Sequence, residues 1–225
     1  MNIVNYILCM AILFQSGKTV SQEDILDFLL LEPALHSNDN NISPPLVVYL
    51  HGGSFRGKSP ENLKSAGLPL YHEKFTGENA FYFLAPICPE GEIWTNDREV
   101  IHLVDRIVAT YDIDKDKIYI TGHSMGGRGA LCFAFKHPEK FAAVLTFSPV
   151  FPIAYWSTVL QDIAIWLVHG ENDFQAPLQS STELYDLIKN ENPKAVLSIL
   201  KNKNHYILEE YGNPKYLEWL FDQKK

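Results

Sequence analysis

The stretch Ile118-Tyr119-Ile120-Thr121-Gly122-His123-Ser124-Met125-Gly126-Gly127-Arg128-Gly129-Ala130 constrains this chain more than any other. It opens as a β-branched and aromatic run, which reads as a buried strand. It continues into a helix with Leu131, Cys132 and Phe135 on an apolar face. Ser124 sits at the turn, and Gly122-His123-Ser124-Met125-Gly126 fits the pattern G-x-S-x-G. In that pattern the serine stands on a tight, strained turn with its hydroxyl pushed out of the sheet. The glycines are a steric requirement, because a side chain at Gly122 or Gly126 would collide with the neighbouring strand or helix. The same turn aims the free N–H groups of a helix N-terminus at whatever Ser124 meets. The plainer alternative is a Gly/Ser turn with Ser124 as an ordinary helix N-cap.

Around this stretch the chain alternates strand and helix patterns. Ile25 to Leu31 is an apolar run read as a strand before the core sheet, and Ser37 to Pro45 is a polar loop. Leu46-Val47-Val48-Tyr49-Leu50 is a buried strand that runs straight into His51-Gly52-Gly53. In a sheet carrying G-x-S-x-G, the loop after such a strand supplies a second backbone N–H to an oxyanion hole. The alternative is a glycine-rich β-turn. Pro60 to Phe75 reads as an irregular or partly helical connection, and Ala80 to Pro86 as the next strand. Trp94 follows in the loop Cys88–Asp97, at the end of a strand where such folds place ligands. It is either a pocket wall or an aromatic packed on the domain edge. A helix from about Asp97 to Tyr111 has Val100, Leu103, Val104, Ile107, Val108 and Tyr111 on one face. Asp112 to Asp116 begins like a calcium loop but has Lys117 where glycine is required, so it reads as a solvated turn. Further strands are expected at Phe141–Phe147, Ile163–Val168 and Ala195–Leu200, with a helix carrying Leu184, Leu187 and Ile188 and a terminal helix around Tyr216 to Phe221. The connection before Ile163 is short and leaves little room for a cap domain. The alternation predicts an α/β fold: a mostly parallel twisted sheet with helices on both faces.

A serine hydroxyl is a weak nucleophile and needs a base, and the base needs an orienting acid. On this kind of sheet the chain order is Ser, then Asp or Glu, then His. His137 ends the helix after Ser124, and His169 closes a strand. His205 follows the last strand, where the base is expected. For the acid, Asp173 and Glu171 both follow the penultimate strand, and Asp173 is preferred because Glu171 directly follows Gly170 and begins the turn. Asp173 also reads as a plain turn or N-cap carboxylate.

With 225 residues and 46% apolar composition, the chain can bury a sizeable core and is not disordered. Against 19 basic residues stand 27 acidic ones, a net charge of -8, which argues against a nucleic-acid partner. Three cysteines, Cys9, Cys88 and Cys132, make no disulfide framework, and the last two read as buried free thiols. The eight histidines show no HxH or HxxxH pair, so no metal site is expected. Met1 to Phe14 has the length of a signal-peptide hydrophobic region and is too short to span a bilayer. Residues 1–17 are thus read as a signal peptide and 18–225 as one catalytic domain, which implies a secreted or periplasmic protein. The absence of Lys and Arg from Met1–Phe14 favours the alternative, a packed N-terminal element on a cytoplasmic chain.

Taken together, these residues resemble a compact α/β-hydrolase esterase of the phospholipase/carboxylesterase and dienelactone-hydrolase-like group, which includes proteins labelled predicted peptidases. The matching pieces are Tyr49-Leu50-His51-Gly52-Gly53 with Arg56-Gly57, Ala85-Pro86-Ile87-Cys88-Pro89 with Trp94, and Tyr111-Asp112-Ile113-Asp114 with the Ser124 stretch. They continue in His169-Gly170-Glu171-Asn172-Asp173 and in His205 followed by Trp219-Leu220. The resemblance implies a Ser124–Asp173–His205 triad, an oxyanion hole from the Gly53 and Met125 N–H groups, a small ester substrate, no cofactor and no stable membrane insertion. Two departures stand out: Phe55 where relatives commonly carry an acidic residue, and Asn204 where they often have glycine before the histidine. The same triad would serve a serine peptidase or amidase. A catalytically silent binding protein on this fold is a third reading.

Overall fold

The computed structural model describes residues 26–34, 43–95 and 97–225. The expected signal segment, with Cys9, and most of the polar loop before Pro45 lie outside them.

Among the described residues seven strands form one sheet: β1 (Phe28–Leu31), β2 (Leu46–Leu50), β3 (Tyr82–Pro86), β4 (Ile118–His123), β5 (Ala143–Phe147), β6 (Ala164–Gly170) and β7 (Ala195–Leu200). Their order across the sheet is β1-β3-β2-β4-β5-β6-β7. Strands β2 to β7 are parallel, and β1 pairs antiparallel with β3 at the edge. A parallel sheet covered on both faces needs apolar side chains on both, which is why β2 reads as an unbroken apolar run. Leu46, Val48 and Leu50 enter one core, and Val47 and Tyr49 enter the other.

The first core lies under α1 (Asp97–Thr110), α2 (Met125–Lys136), α3 (Ser157–Leu160) and α4 (Leu178–Ile188). Val104, Phe133, Leu160 and Leu184 fill it. The second is closed by α5 (Pro214–Phe221), through Tyr216, Leu217 and Leu220, and by the 3₁₀ turn Leu208–Gly212 through Tyr211. Between β2 and β3 there is no α-helix. The chain crosses over in 3₁₀ turns at Pro60–Ser65 and Leu68–Lys74, each with a proline in its first turn. Proline pre-sets the φ of a helical start, and turns this short impose no 3.6-residue period on the sequence, so the segment read as irregular. The stretch at Asp112–Asp116 is the expected turn, with the Asp116 N–H donating to Asp114 Oδ1 at 3.0 Å. Cys88 and Cys132 are free, but only Cys88 is fully buried; Cys132 is half-buried. Burial pushes the Cys88 thiol up to about 11.

Strand register fixes where the loops emerge. Leu50 lies opposite Gly122, His123 opposite Phe147, and Gly170 opposite Leu200. The segments after β2, β4, β6 and β7 therefore all leave from one carboxyl edge. The chain steps outward from β2 to β3, then returns past β2 to β4. That reversal opens a crevice between the ends of β2 and β4, the place where open α/β sheets hold ligands.

Candidate active site

Ser124 stands at the end of β4 and the start of α2, with φ 58 and ψ −120. A non-glycine residue with positive φ is strained and needs its surroundings to hold it. Its N–H donates to Phe147 O at 2.9 Å, and its carbonyl accepts from Arg128 N at 3.1 Å and Val150 N at 3.2 Å. A Cβ on Gly126 would overlap the Leu50 carbonyl, and one on Gly122 would overlap the Gly126 backbone. The side chain of Ser124 does not cap the helix. Its Oγ instead meets His205 Nε2 at 2.8 Å.

The other ring nitrogen of His205, Nδ1, lies 2.8 Å from Asp173 Oδ2. Ser124, His205 and Asp173 are thus linked in series, across 81 and 32 residues of sequence. The Asp173 carboxylate divides its work. Oδ1 accepts from the N–H groups of Gln175 at 2.9 Å and Ala176 at 2.8 Å, while Oδ2 faces the histidine. Burial works against the Asp173 charge, but the Ala176 N–H, His205 and the Gln175 N–H outweigh it and hold its carboxyl below the ordinary value. Glu171 is exposed and points elsewhere: its Oε2 accepts from Asn202 N at 3.1 Å. Gly170 makes the meeting of Asp173 and His205 possible, since a Cβ there would strike the Lys203 and Asn204 carbonyls. Asn204 is accommodated in place of glycine, with its Oδ1 accepting from Tyr206 N at 2.9 Å.

Two further histidines join this network. His169, read from sequence as a strand-end residue, is fully buried within β6. Its Nε2–H donates to Ala176 O at 2.7 Å and lies 3.2 Å from Asp173 Oδ2, and its Nδ1 accepts from the Ser181 hydroxyl at 2.9 Å. His123, inside the G-x-S-x-G stretch, donates from Nε2 to the His205 carbonyl at 2.7 Å. It anchors the backbone that carries His205. Burial pushes His123 down to about 4 and lowers His169 as well, so both act as neutral donors.

His51 and Trp94 build the loop after β2. Cys88 N–H donates to His51 Nε2 at 3.1 Å, so Nδ1 carries the proton and donates to Gly52 O at 2.8 Å. Burial holds His51 neutral, down to about 4. The Gly52 carbonyl and the Gly53 N–H share one trans peptide and point opposite ways. Fixing the first toward His51 turns the second away from it. A Cβ on Gly52 would lie 3.6 Å from Ser124 Cβ, so this loop runs beside the serine. Met125 opens α2, where the backbone N–H has no acceptor within the helix. Phe55, the other departure, packs edge-on against His51 with ring centroids 6.0 Å apart. Trp94 is packed in the core, not on the domain edge. It is buried, with its Nε1–H donating to His51 O at 2.9 Å, and it is also one wall of an open cleft of about 290 Å³. Ile93, Met125, Arg128, Val150 and Phe151 line the same cleft, which reaches the serine turn at Met125.

Known proteins resemble this chain in fold and over part of its sequence. The family model described as "Putative esterase" matches residues 93–196. A thermostable esterase of known structure superposes with a TM-score of 0.76 at 25% identity, over 88% of this chain and 59% of that one. The chain has the α/β-hydrolase fold. It is also 36% identical to the S-formylglutathione hydrolase of Rattus norvegicus, over 81 residues that make up 36% of this chain and 26% of the relative. The chain therefore aligns with about a quarter of that relative's length. The S-formylglutathione hydrolase of Staphylococcus aureus shares the fold, with a TM-score of 0.65 at 16% identity over 87% of this chain and 92% of that one.

Proposed function

We propose that this protein is a hydrolase that cleaves carboxylic esters through an acyl-enzyme on Ser124. The observation that carries the reading is the hydrogen-bonded series from Ser124 Oγ through His205 to Asp173, built on a strained turn whose serine caps nothing. In this reading Ser124 Oγ attacks the ester carbonyl while His205 Nε2 takes its proton. Asp173 keeps the Nδ1–H tautomer and stabilises the imidazolium that forms. The N–H groups of Gly53 and Met125 receive the negative oxygen of the tetrahedral intermediate. His205 returns the proton to the departing alcohol, and water, deprotonated by the same imidazole, frees the acid. The open cleft beside the turn supports a small-molecule substrate entering from solvent.

The test is labelling with a fluorophosphonate, which needs an activated serine, followed by turnover of p-nitrophenyl acetate. The wild type is expected to be labelled and to turn over, and Ser124→Ala to do neither while keeping its circular dichroism spectrum. A folded wild type that resists the probe would mean the chain is a binding protein. Faster cleavage of an aminoacyl p-nitroanilide than of the matching ester would move the assignment to an amidase.

A further inference from the structure

The cleft beside the serine turn has apolar walls and one charged one. Arg128 lies one helical turn beyond Ser124, and its N–H donates to the Ser124 carbonyl at 3.1 Å. Its side chain therefore leaves α2 ~6 Å along the helix from the nucleophile. Two contacts hold the guanidinium in place. Nε donates to Phe151 O at 3.3 Å, and the guanidinium carbon lies 5.7 Å from the centre of the Trp156 ring. The side chain is half-buried. Among the described residues the ion pairs are formed by lysines and histidines, and none involves Arg128. A pinned, partly desolvated guanidinium keeps a planar fork of donors that matches a carboxylate in two parallel hydrogen bonds.

The apolar walls set what precedes that carboxylate. Trp94, Met125 and Val150 form the cleft's interior, and Ile93 and Phe151 stand at its lip, 45% and 59% exposed. Its volume of about 290 Å³ equals about ten water-sized groups, which is room for a short chain. Position decides which half of an ester enters. The leaving alcohol must sit against His205, which returns the proton to it. The cleft meets the serine turn at Met125, whose N–H is the proposed oxyanion donor, and neither Ser124 nor the 204–206 loop lines it; a cleft on the Met125 side, away from His205, suits the acyl half.

We propose that the cleft is an acyl-arm subsite for esters whose acid half is a short apolar chain ending in a carboxylate, with Arg128 pairing that carboxylate. The inference rests on the esterase reading and narrows its substrate class to half-esters of short dicarboxylic acids.

The experiment compares mono-p-nitrophenyl adipate with p-nitrophenyl hexanoate, two esters of equal chain length of which only the first ends in a charge. The full chain at low ionic strength should favour the adipate at least tenfold in kcat/KM, and added salt should shrink the preference. In Arg128→Gln the ratio should fall to near one, and Arg128→Lys, which keeps the charge without the fork, should lie between. A wild type that treats the two esters alike, or a ratio unchanged in Arg128→Gln, overturns the subsite and leaves the esterase reading standing. If neither ester is turned over, the esterase reading has failed, and the subsite is decided by calorimetric titration of Ser124→Ala with monomethyl adipate. Binding that weakens at least tenfold when Arg128→Gln is added supports the subsite. No binding, or equal binding, overturns it.

Discussion

Asp173 shows how a single side chain serves two neighbours at once. From sequence it reads as a triad acid or as a turn carboxylate, and its two oxygens have the contacts each reading needs, Oδ1 with the turn and Oδ2 with His205. An asparagine cannot reproduce this, because its amide must turn an NH₂ either toward the Gln175 and Ala176 N–H groups or toward His205 Nδ1. Asp173→Asn should therefore lower kcat by roughly 10⁴, the precedent for serine proteases. Glu171→Gln still accepts from Asn202 and should stay within a few-fold; a stopped assay on both variants, with the opposite ranking, would move the acid to Glu171. His169 extends the network by a second donor beside the same oxygen, Oδ2, that faces His205. His169→Ala strands the Ser181 hydroxyl and the Ala176 carbonyl in the core, at a cost of about 1–3 kcal/mol in urea unfolding. It should also lower kcat more than it raises KM, and His169→Gln, which keeps a donor, should recover part of both. Equal loss in the two variants would reduce His169 to a space-filling role.

At the level of elements, the β4–α2 junction is the part with least tolerance. α2 starts so close to β2 that Gly126 has the Leu50 carbonyl where a side chain would stand. Gly126→Ala must push α2 away from β2, carrying Ser124 and the Met125 N–H with it. Activity should disappear although Ser124 is unchanged, and stability should drop by roughly 3–5 kcal/mol, among the most damaging single changes. Thermal melting and ester turnover together check this, and a melting point near wild type would show that the junction can relax. The β6–β7 pair is the matching element on the other side, where Gly170 lets the Asn204 backbone pass close enough for His205 to reach Asp173.

Over the whole molecule, the core buries His51, His72, His123 and His169, all with values pushed down by desolvation. For His51 and His123 the folded value is about 4 against an ordinary 6.5. Between these limits the unfolded chain binds protons that the folded one refuses, so stability falls as pH falls. Each such histidine contributes a slope of about 1.4 kcal/mol per pH unit in that window. Asp173 works in the same direction at lower pH, since its depressed value gives stability that is lost as acid protonates it. The urea midpoint should therefore drop steadily from pH 6.5 to pH 4, with more than one proton taken up on unfolding. A flat midpoint over that range would contradict neutral burial of these rings.

The sequence alone determined the local features of this protein. Glycine spacing around Ser124, the apolar run of β2 and the 3.6-residue period of α1 each follow from sterics or periodicity within about a dozen residues, so they are legible without knowledge of any neighbour. The order of Ser124, Asp173 and His205 along the chain was legible for a related reason: each follows a recognisable strand. The order of the strands was not, nor were the contacts that hang on it. His123 meets the carbonyl of a residue 82 positions away, and the Trp94 indole reaches one 43 positions back. A neutral buried histidine, a strand-end histidine and a loop tryptophan look the same in sequence whether or not they have a partner. Only the pairing of β2, β4, β6 and β7 at one edge brings those partners within hydrogen-bonding distance. The fold likewise decides that Arg128 meets the Phe151 carbonyl and the Trp156 ring and, among the described residues, forms no ion pair.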